Sequence, residues 1–248
     1  MGETGAAGLG RPRVHLRRTD STNERARELA IVGAPHGTLV TAAEQTAGRG
    51  RQGRSWTAPA DSALLCSLVL RDPPALLSLI AAVAVCDQVG QRARVKWPND
   101  VVVERVGSDE KTPTGGAPTL AKLAGILVEG RPQEGWAVLG IGLNVAVRVE
   151  QLPAGVRERA ASLELPPSAI EPLVDRLIET LERRLAEPAE TVLDAWRERD
   201  ALRDRDISWA QGRGVAQGID SAGRLIVRLG DGTTTKLDAG EVHLGLAR

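Results

Sequence analysis

Apolar residues recur along this chain in two periods, and the switches between them mark out its elements. Val14 to Leu16 reads as a short strand. In TDSTNERARELAIVGAP (19–35), Ala26, Leu29 and Ala30 share a helical face, Asp20, Ser21 and Thr22 are N-cap types, and Gly33 can end the helix. GTLVTAAEQ (37–45) and SALLCSLVLR (62–71) are apolar runs of strand length. Pro73 and Pro74 predict the start of a helix that runs to about Gln91 and is apolar on most sides. ARVKWPNDVVV (93–103) is a strand interrupted at Trp97-Pro98, and because proline cannot donate to a ladder the break predicts an edge or a bulge. LAKLAGILVEGR (120–131) and WAVLGIGLNV (136–145) are strands that carry glycines. Leu173, Leu177, Leu181 and Leu185 give an amphipathic helix over 169–185, and Val192, Leu193 and Trp196 a shorter one over 189–199. After Asp200 come short strands with turn signals at 220–223 and 230–232. They describe a small β-barrel, too small to be very stable alone and expected to dock on the rest.

The polar stretches set the divisions. Residues 1–12 are Gly-rich without apolar periodicity and predict a disordered tail. Residues 104–119, polar and rich in Gly and Pro, predict a long mobile hairpin insertion. The main domain is thereby placed at 13–200 and the small one at 201–248.

Composition narrows the function classes. The 248 residues carry 32 Lys+Arg and 32 Asp+Glu, so the net charge is zero, unlike a dedicated nucleic-acid binder. Phe and Tyr are absent, which removes the usual base-stacking platforms and leaves the core to Leu, Val, Ile and Ala. Cys66 and Cys86 lie in apolar runs and read as buried free thiols. His15, His36 and His243 are scattered, so no zinc site is suggested. With no signal peptide and no apolar span of ~18 residues, the protein is expected in the cytoplasm, not in a membrane.

Chemistry concentrates in GRGRQGR (48–54), followed at once by Trp56. Gly48, Gly50 and Gly53 let backbone approach a ligand, and their N–H groups can form an anion-holding nest. Arg49, Arg51 and Arg54 add forked donors for phosphate or carboxylate, and Trp56 offers a flat face to a ring. The glycines also fit a dinucleotide fingerprint, with Asp72 about 20 residues on. That reading fails on context, because a turn and a strand follow where a helix is required.

Other polar groups fall at element ends. Ser21-Thr22-Asn23 either caps its helix or presents hydroxyls and an amide to a ligand. Gln45 ends a buried strand just before the glycine loop. Lys96, Asn99 and Asp100 sit at the Trp97-Pro98 break, which is either a plain turn or a ligand-facing one. Lys122 is the only cation between Thr112 and Arg131. Gly125, Gly140 and Gly142 on adjacent strands leave room for an apolar ligand on the sheet.

Taken together, GRGRQGRSW, VKWPNDV and KLAGILVE, in this order, closely resemble the biotin–protein ligase family, with the tail GIDSAGRLIV…AGEVHL similar to that family's C-terminal SH3-like barrel. The resemblance covers the chain except the N-terminal tail and the 104–119 insertion. It implies an α+β fold: a mixed, largely antiparallel sheet backed by helices, then the SH3-like barrel. It also implies a reaction in which biotin and MgATP give biotinyl-5′-adenylate, which acylates one lysine of a biotin carboxyl carrier domain of a carboxylase. Carried over by position, Ser21, Thr22, Asn23, Gln45, Gly48 and Arg49 hold the biotin ring. Gly125, Ile126, Leu127, Gly140 and Gly142 wall its pocket. Arg49, Gly50, Arg51, Arg54, Trp56, Asn99 and Asn144 serve the nucleotide, and Asp100 serves Mg²⁺. Arg51 at the phosphates and Lys122 between biotin carboxylate and adenylate are the catalytic pair.

A lipoate–protein ligase of the same fold and a non-catalytic biotin-binding regulator are the alternatives. The Arg-rich loop and the barrel favour biotin, and the presence of both Arg51 and Lys122 favours an enzyme. Relatives with an N-terminal helix-turn-helix repress transcription. Here the motifs begin by residue 21, so no sequence-specific DNA binding is expected, and the protein is expected to be a monomer or weak homodimer.

Overall fold

The computed structural model describes residues 8–105, 119–131, 134–238, 240 and 242–244. Seven strands form the main sheet: β1 (Arg13–Leu16), β2 (Leu39–Ala42), β3 (Ala63–Arg71), β4 (Ala93–Lys96), β5 (Asp100–Arg105), β6 (Thr119–Arg131) and β7 (Trp136–Asn144). Their order is β1-β2-β3-β7-β6-β5-β4. β1 and β2 run parallel, and every other neighbouring pair is antiparallel. The helices are α1 (Thr22–Ile31), α2 (Leu77–Val89), α3 (Ala154–Arg157), α4 (Ile170–Leu185) and α5 (Ala189–Arg197).

β3 reads as a continuous apolar run because both of its faces are covered. Leu64, Cys66, Leu68 and Leu70 point into the large core shared with α2, α4 and α5. On the opposite face, Val69 and Val138 of β7 receive Ala26 and Ala30 of α1. That face continues along β7 as Gly140, beneath Asn23 at the start of α1, and then Gly142.

Several boundaries differ from expectation. α2 starts at Leu77, because residues 75–76 form a turn after the two prolines, with Leu77 N bonded to Pro74 O at 3.1 Å. The interrupted strand is two antiparallel strands, β4 and β5, joined by a tight turn at Trp97-Pro98-Asn99, and β4 is indeed an edge. The tail expected over 1–12 is packed from Gly8 onward: Gly10 N bonds Gly37 O at 2.9 Å, and Leu9 rests on the core. Residues 1–7 and 106–118 of the predicted tail and insertion lie outside the described residues.

The C-terminal strands β8 (Asp206–Trp209), β9 (Gly212–Ile219), β10 (Leu225–Arg228), β11 (Thr234–Leu237) and β12 (His243–Leu244) form a second antiparallel sheet, ordered β11-β10-β9-β8-β12. β11 and β12 do not pair, so among the described residues this is an open sheet and not the closed barrel expected. The sheet docks as expected. Ile207, Ala216, Leu225 and Val227 join the same core as α2 and α5. Trp97 Nε1 donates to Gly223 O at 3.0 Å, and Asp200 pairs with Val95 of β4. Residue 200 is therefore a boundary of topology and not of packing.

Candidate active site

Residues 19–20 and 44–47 run side by side, with Thr46 N bonded to Thr19 O and Ala47 N to Asp20 O, both at 2.9 Å. This pairing brings the start of α1 against Gln45. Gln45 Oε1 accepts from Thr22 N at 2.7 Å and Thr22 Oγ1 at 3.0 Å. Ser21 occupies the N-cap without a side-chain cap bond, and the triplet lines a cavity. Asn23 is buried. Its Oδ1 accepts from Ser67 Oγ at 2.6 Å and its Nδ2 donates to Glu129 at 2.9 Å. A Cβ on Gly140 would stand 2.0 Å from Asn23 Oδ1, so only glycine fits under that amide.

The glycine loop folds back as a small hairpin. Trp56 N bonds Gly48 O at 2.8 Å, Arg49 pairs with Ser55, and Gly50 N bonds Arg54 O at 2.7 Å. Gln52 and Gly53 turn it with φ of 56° and 75°. The hairpin lays Trp56 across the glycines of β6 and β7: Cβ atoms on Gly125 and Gly142 would meet the indole at 2.9 and 2.6 Å. Trp56 Nε1 is buried there without a partner.

Lys122 reaches this face through a β-bulge. The β5–β6 register shifts between Val101 and Val102, so Leu123 and Ala124 both enter the core. Strict alternation would send Lys122 into the core with Ala124. The extra residue turns it to the face of Gly125 instead. Residues 159–161 then pair with it, Lys122 N to Arg159 O at 2.6 Å and Ala161 N to Lys122 O at 2.7 Å. Lys122 Nζ lies 2.7 Å from Asp100 Oδ1 and 5.6 Å from the Trp56 ring centre. Asn99 Nδ2 donates to Ile126 O at 2.7 Å, which aims Asn99 Oδ1 at Arg51 Nη1, 3.1 Å away.

Two clefts result. The first is lined by Ser21, Thr22, Asn23, Gln45, Arg49, Gly125, Leu127, Gly140 and Gly142, and bordered by Leu65 and Cys66. Ile126 borders it as well, although its side chain belongs to the core. The second is lined by Arg54, Lys96, Trp97, Pro98 and Asp100, with Gly240 and Val242 of the C-terminal segment. Gly50, Arg51, Trp56, Asn99 and Lys122 belong to both. Burial lowers the Lys96 ammonium below its ordinary range, Asp100 opposes this, and Lys122, Arg159 and Arg54 reinforce it. Burial also lowers Arg51, against the pull of Asp100.

Two expected residues stand apart. Asn144 lines neither cleft; it is buried, with Nδ2 donating to Ala161 O at 2.8 Å. Gly48 serves the hairpin, where a Cβ would lie 2.4 Å from Trp56 O. Ser67, Glu129 and the 159–161 segment were missed by sequence reasoning, and Lys96 was named only as part of the strand break. Cys66 is no nucleophile, since burial pushes its thiol up to about 12.

Residues 15–145 match the model of the biotin/lipoate A/B protein ligase family, and residues 210–245 that of the biotin protein ligase C-terminal domain. The chain is 34% identical to the biotin–[acetyl-CoA-carboxylase] ligase of Paracoccus denitrificans, over 93% of this chain and 99% of that protein. The chain belongs to the biotin–protein ligase family. A second ligase of that name, from Mycobacterium tuberculosis, is also 34% identical, covering 91% of this chain and 86% of its own length. The bifunctional ligase/repressor of Bacillus spizizenii is 36% identical over 58% of this chain, but the match spans only 43% of that relative. Among solved structures, the Aquifex aeolicus biotin protein ligase in complex with biotin and ATP superposes with a TM-score of 0.72 at 22% identity, covering 96% of this chain and all (100%) of that one, which speaks for the fold alone.

Proposed function

We propose that this family member is an ATP-dependent biotin–protein ligase whose first cleft takes biotin and whose second takes the phosphates of ATP. One observation carries the reading. The neutral donors and acceptors of Ser21, Thr22, Asn23 and Gln45 meet a glycine floor in the cleft that also holds Lys122 and Arg51. A ureido ring is neutral and needs paired hydrogen bonds, a thioether ring needs an open apolar floor, and the carboxylate at its far end needs a cation.

The biotin carboxylate attacks the α-phosphorus of ATP and pyrophosphate leaves. The amine of a carrier lysine then attacks the acyl carbon of biotinyl-5′-adenylate and AMP leaves. Both reacting partners of the first step are anionic, so catalysis consists of positioning and charge neutralisation by Lys122 and Arg51. The attacking groups come from the substrates, which agrees with the unreactive state of Cys66. Lys96 and Arg54 flank the leaving pyrophosphate. Among the described residues no cluster of three metal-binding side chains exists, but Mg²⁺ needs only one or two carboxylates besides phosphate oxygens. Asp100, the carboxylate of the second cleft, is the residue that would hold it, and the ion would add charge neutralisation at the phosphates.

We further read residues 13–200 as the catalytic domain, the open C-terminal sheet as the core of an SH3-like unit, and the partner as a carboxylase carrier domain in the cytoplasm. No helix among the described residues is long and apolar enough to cross a membrane. The test is exchange of labelled pyrophosphate into ATP. Biotin is expected to support it and lipoate to fail, with label then passing from biotin to a carrier domain. Exchange driven by lipoate and not by biotin would overturn the assignment.

A further inference from the structure

Glu129 on β6 joins two parts of the site that are far apart in sequence. Its Oε2 accepts from Asn23 Nδ2 at 2.9 Å. Its Oε1 pairs with Arg49 Nη2 at 3.1 Å. Asn23 belongs to the start of α1 and lines the first cleft, while Arg49 belongs to the glycine hairpin two residues before Arg51. Ser67, fully buried, fixes the other end of the Asn23 amide. Glu24 holds the second arm of the Arg49 guanidinium at 2.7 Å.

The Asn23 amide therefore has one orientation only while Glu129 and Ser67 both hold it. A ligand that draws on that amide acts on Glu129, and Glu129 acts on the base of the hairpin. Glu129 is partly exposed, at 28%, and lies beside Leu127 in a groove under the hairpin. Burial alone does not require a charge there.

We propose that Glu129 is a positioning residue that couples ring binding at Asn23 to closure of the hairpin carrying Arg51. The proposal rests on the first cleft being the biotin pocket. Glu129→Gln keeps an acceptor for Asn23 and loses the charge that pairs with Arg49. Glu129→Ala loses both.

The experiment compares wild type and both variants for KM of biotin, kcat of pyrophosphate exchange, release of free adenylate without carrier, and hydrogen exchange over residues 48–55 with and without biotin. In Glu129→Gln, biotin KM is expected to stay within about twofold. Adenylate release and hairpin exchange should rise several-fold and no more, because Glu24 still holds Arg49. In Glu129→Ala, biotin KM should rise about tenfold as well. An active wild type whose two variants both retain its hairpin exchange and adenylate release would overturn the coupling. So would an equal loss in both variants across every parameter, which would mark a merely structural role. A wild type without biotin-dependent exchange would instead overturn the reading of the cleft.

Discussion

The two clefts share Arg51, Trp56, Asn99 and Lys122 yet are built from opposite chemistry. Apart from Arg49 and the shared cations, the first is lined by neutral side chains whose orientations are fixed by hydrogen bonds: Gln45 on Thr22, and Ser67 and Glu129 on Asn23. The second is made of charges held close together, with Lys96 partly desolvated beside Lys122, Arg54 and Arg159. The neutral cleft achieves selectivity through fixed geometry. The cationic cleft stores repulsion that a polyanion relieves. Substitutions should therefore separate the two substrates, except at the residues common to both clefts.

The largest effect is expected at such a shared residue. Lys122→Ala should leave the fold intact and lower biotin-dependent pyrophosphate exchange about 10²–10³-fold, since a cation facing charge that develops in the transition state is lost. Near-normal exchange at saturating biotin would remove Lys122 from the chemistry. Next comes Gly140→Ala in the neutral cleft. The added methyl enters the space of Asn23 Oδ1, only 2.0 Å away. Overpacking of about 1–3 kcal/mol should appear as a rise of roughly 10–100-fold in biotin KM, with the KM of ATP little changed. An equal rise in both constants would show that the clefts are not separable.

Lys96→Met tests the cationic cleft. The KM of ATP is expected to rise about tenfold and that of biotin to stay within about twofold. The thermal midpoint should rise, because a partly desolvated charge among like charges is removed. Function and stability thus move in opposite directions, and a fall in both would mean that Lys96 has an unrecognised structural partner. The smallest effect lies outside both clefts. Asp200 has a buried, unpartnered Oδ2 at the seam with the C-terminal sheet, and burial raises its carboxyl to about 6. The folded state then holds a proton that the unfolded state gives up near pH 4, so stability falls as pH rises from about 4 to 6. Asp200→Asn should gain about 1–2 kcal/mol above pH 6 and nothing below pH 4 in urea titrations, with both KM values unchanged. A pH-independent gain would assign it to packing.

Much of this arrangement was legible in the chain. Periodicity placed β3, β6, β7, α4 and α5 within a residue or two, because each turns an apolar face to the core. The glycine loop, Gln45 and Ser21-Thr22-Asn23 stood out because their residue types suit no core. What stayed hidden depends on pairing. Ser67 sits inside an apolar run, and its role emerges only when β3 is seen beside α1. The direction of Lys122 depends on a bulge that no periodicity announces. Asn144 follows the glycines of β7 like a site residue, but the 159–161 segment, unpredicted, covers it. Trp56 read as a flat face for a ring, but that the hairpin lays it on Gly125 and Gly142 shows only in the fold.

That position of Trp56 provides the most direct measurement, a crystal structure with biotin and ATP bound. The biotin rings should lie on Gly125 and Gly142 with the ureido group at Thr22, Asn23 and Gln45. The indole should be displaced toward the second cleft, and the phosphates should lie between Arg51 and Lys96. Biotin bound elsewhere, with Trp56 still on the two glycines and the phosphates away from Lys96, would contradict the division of the site into a neutral and a cationic cleft.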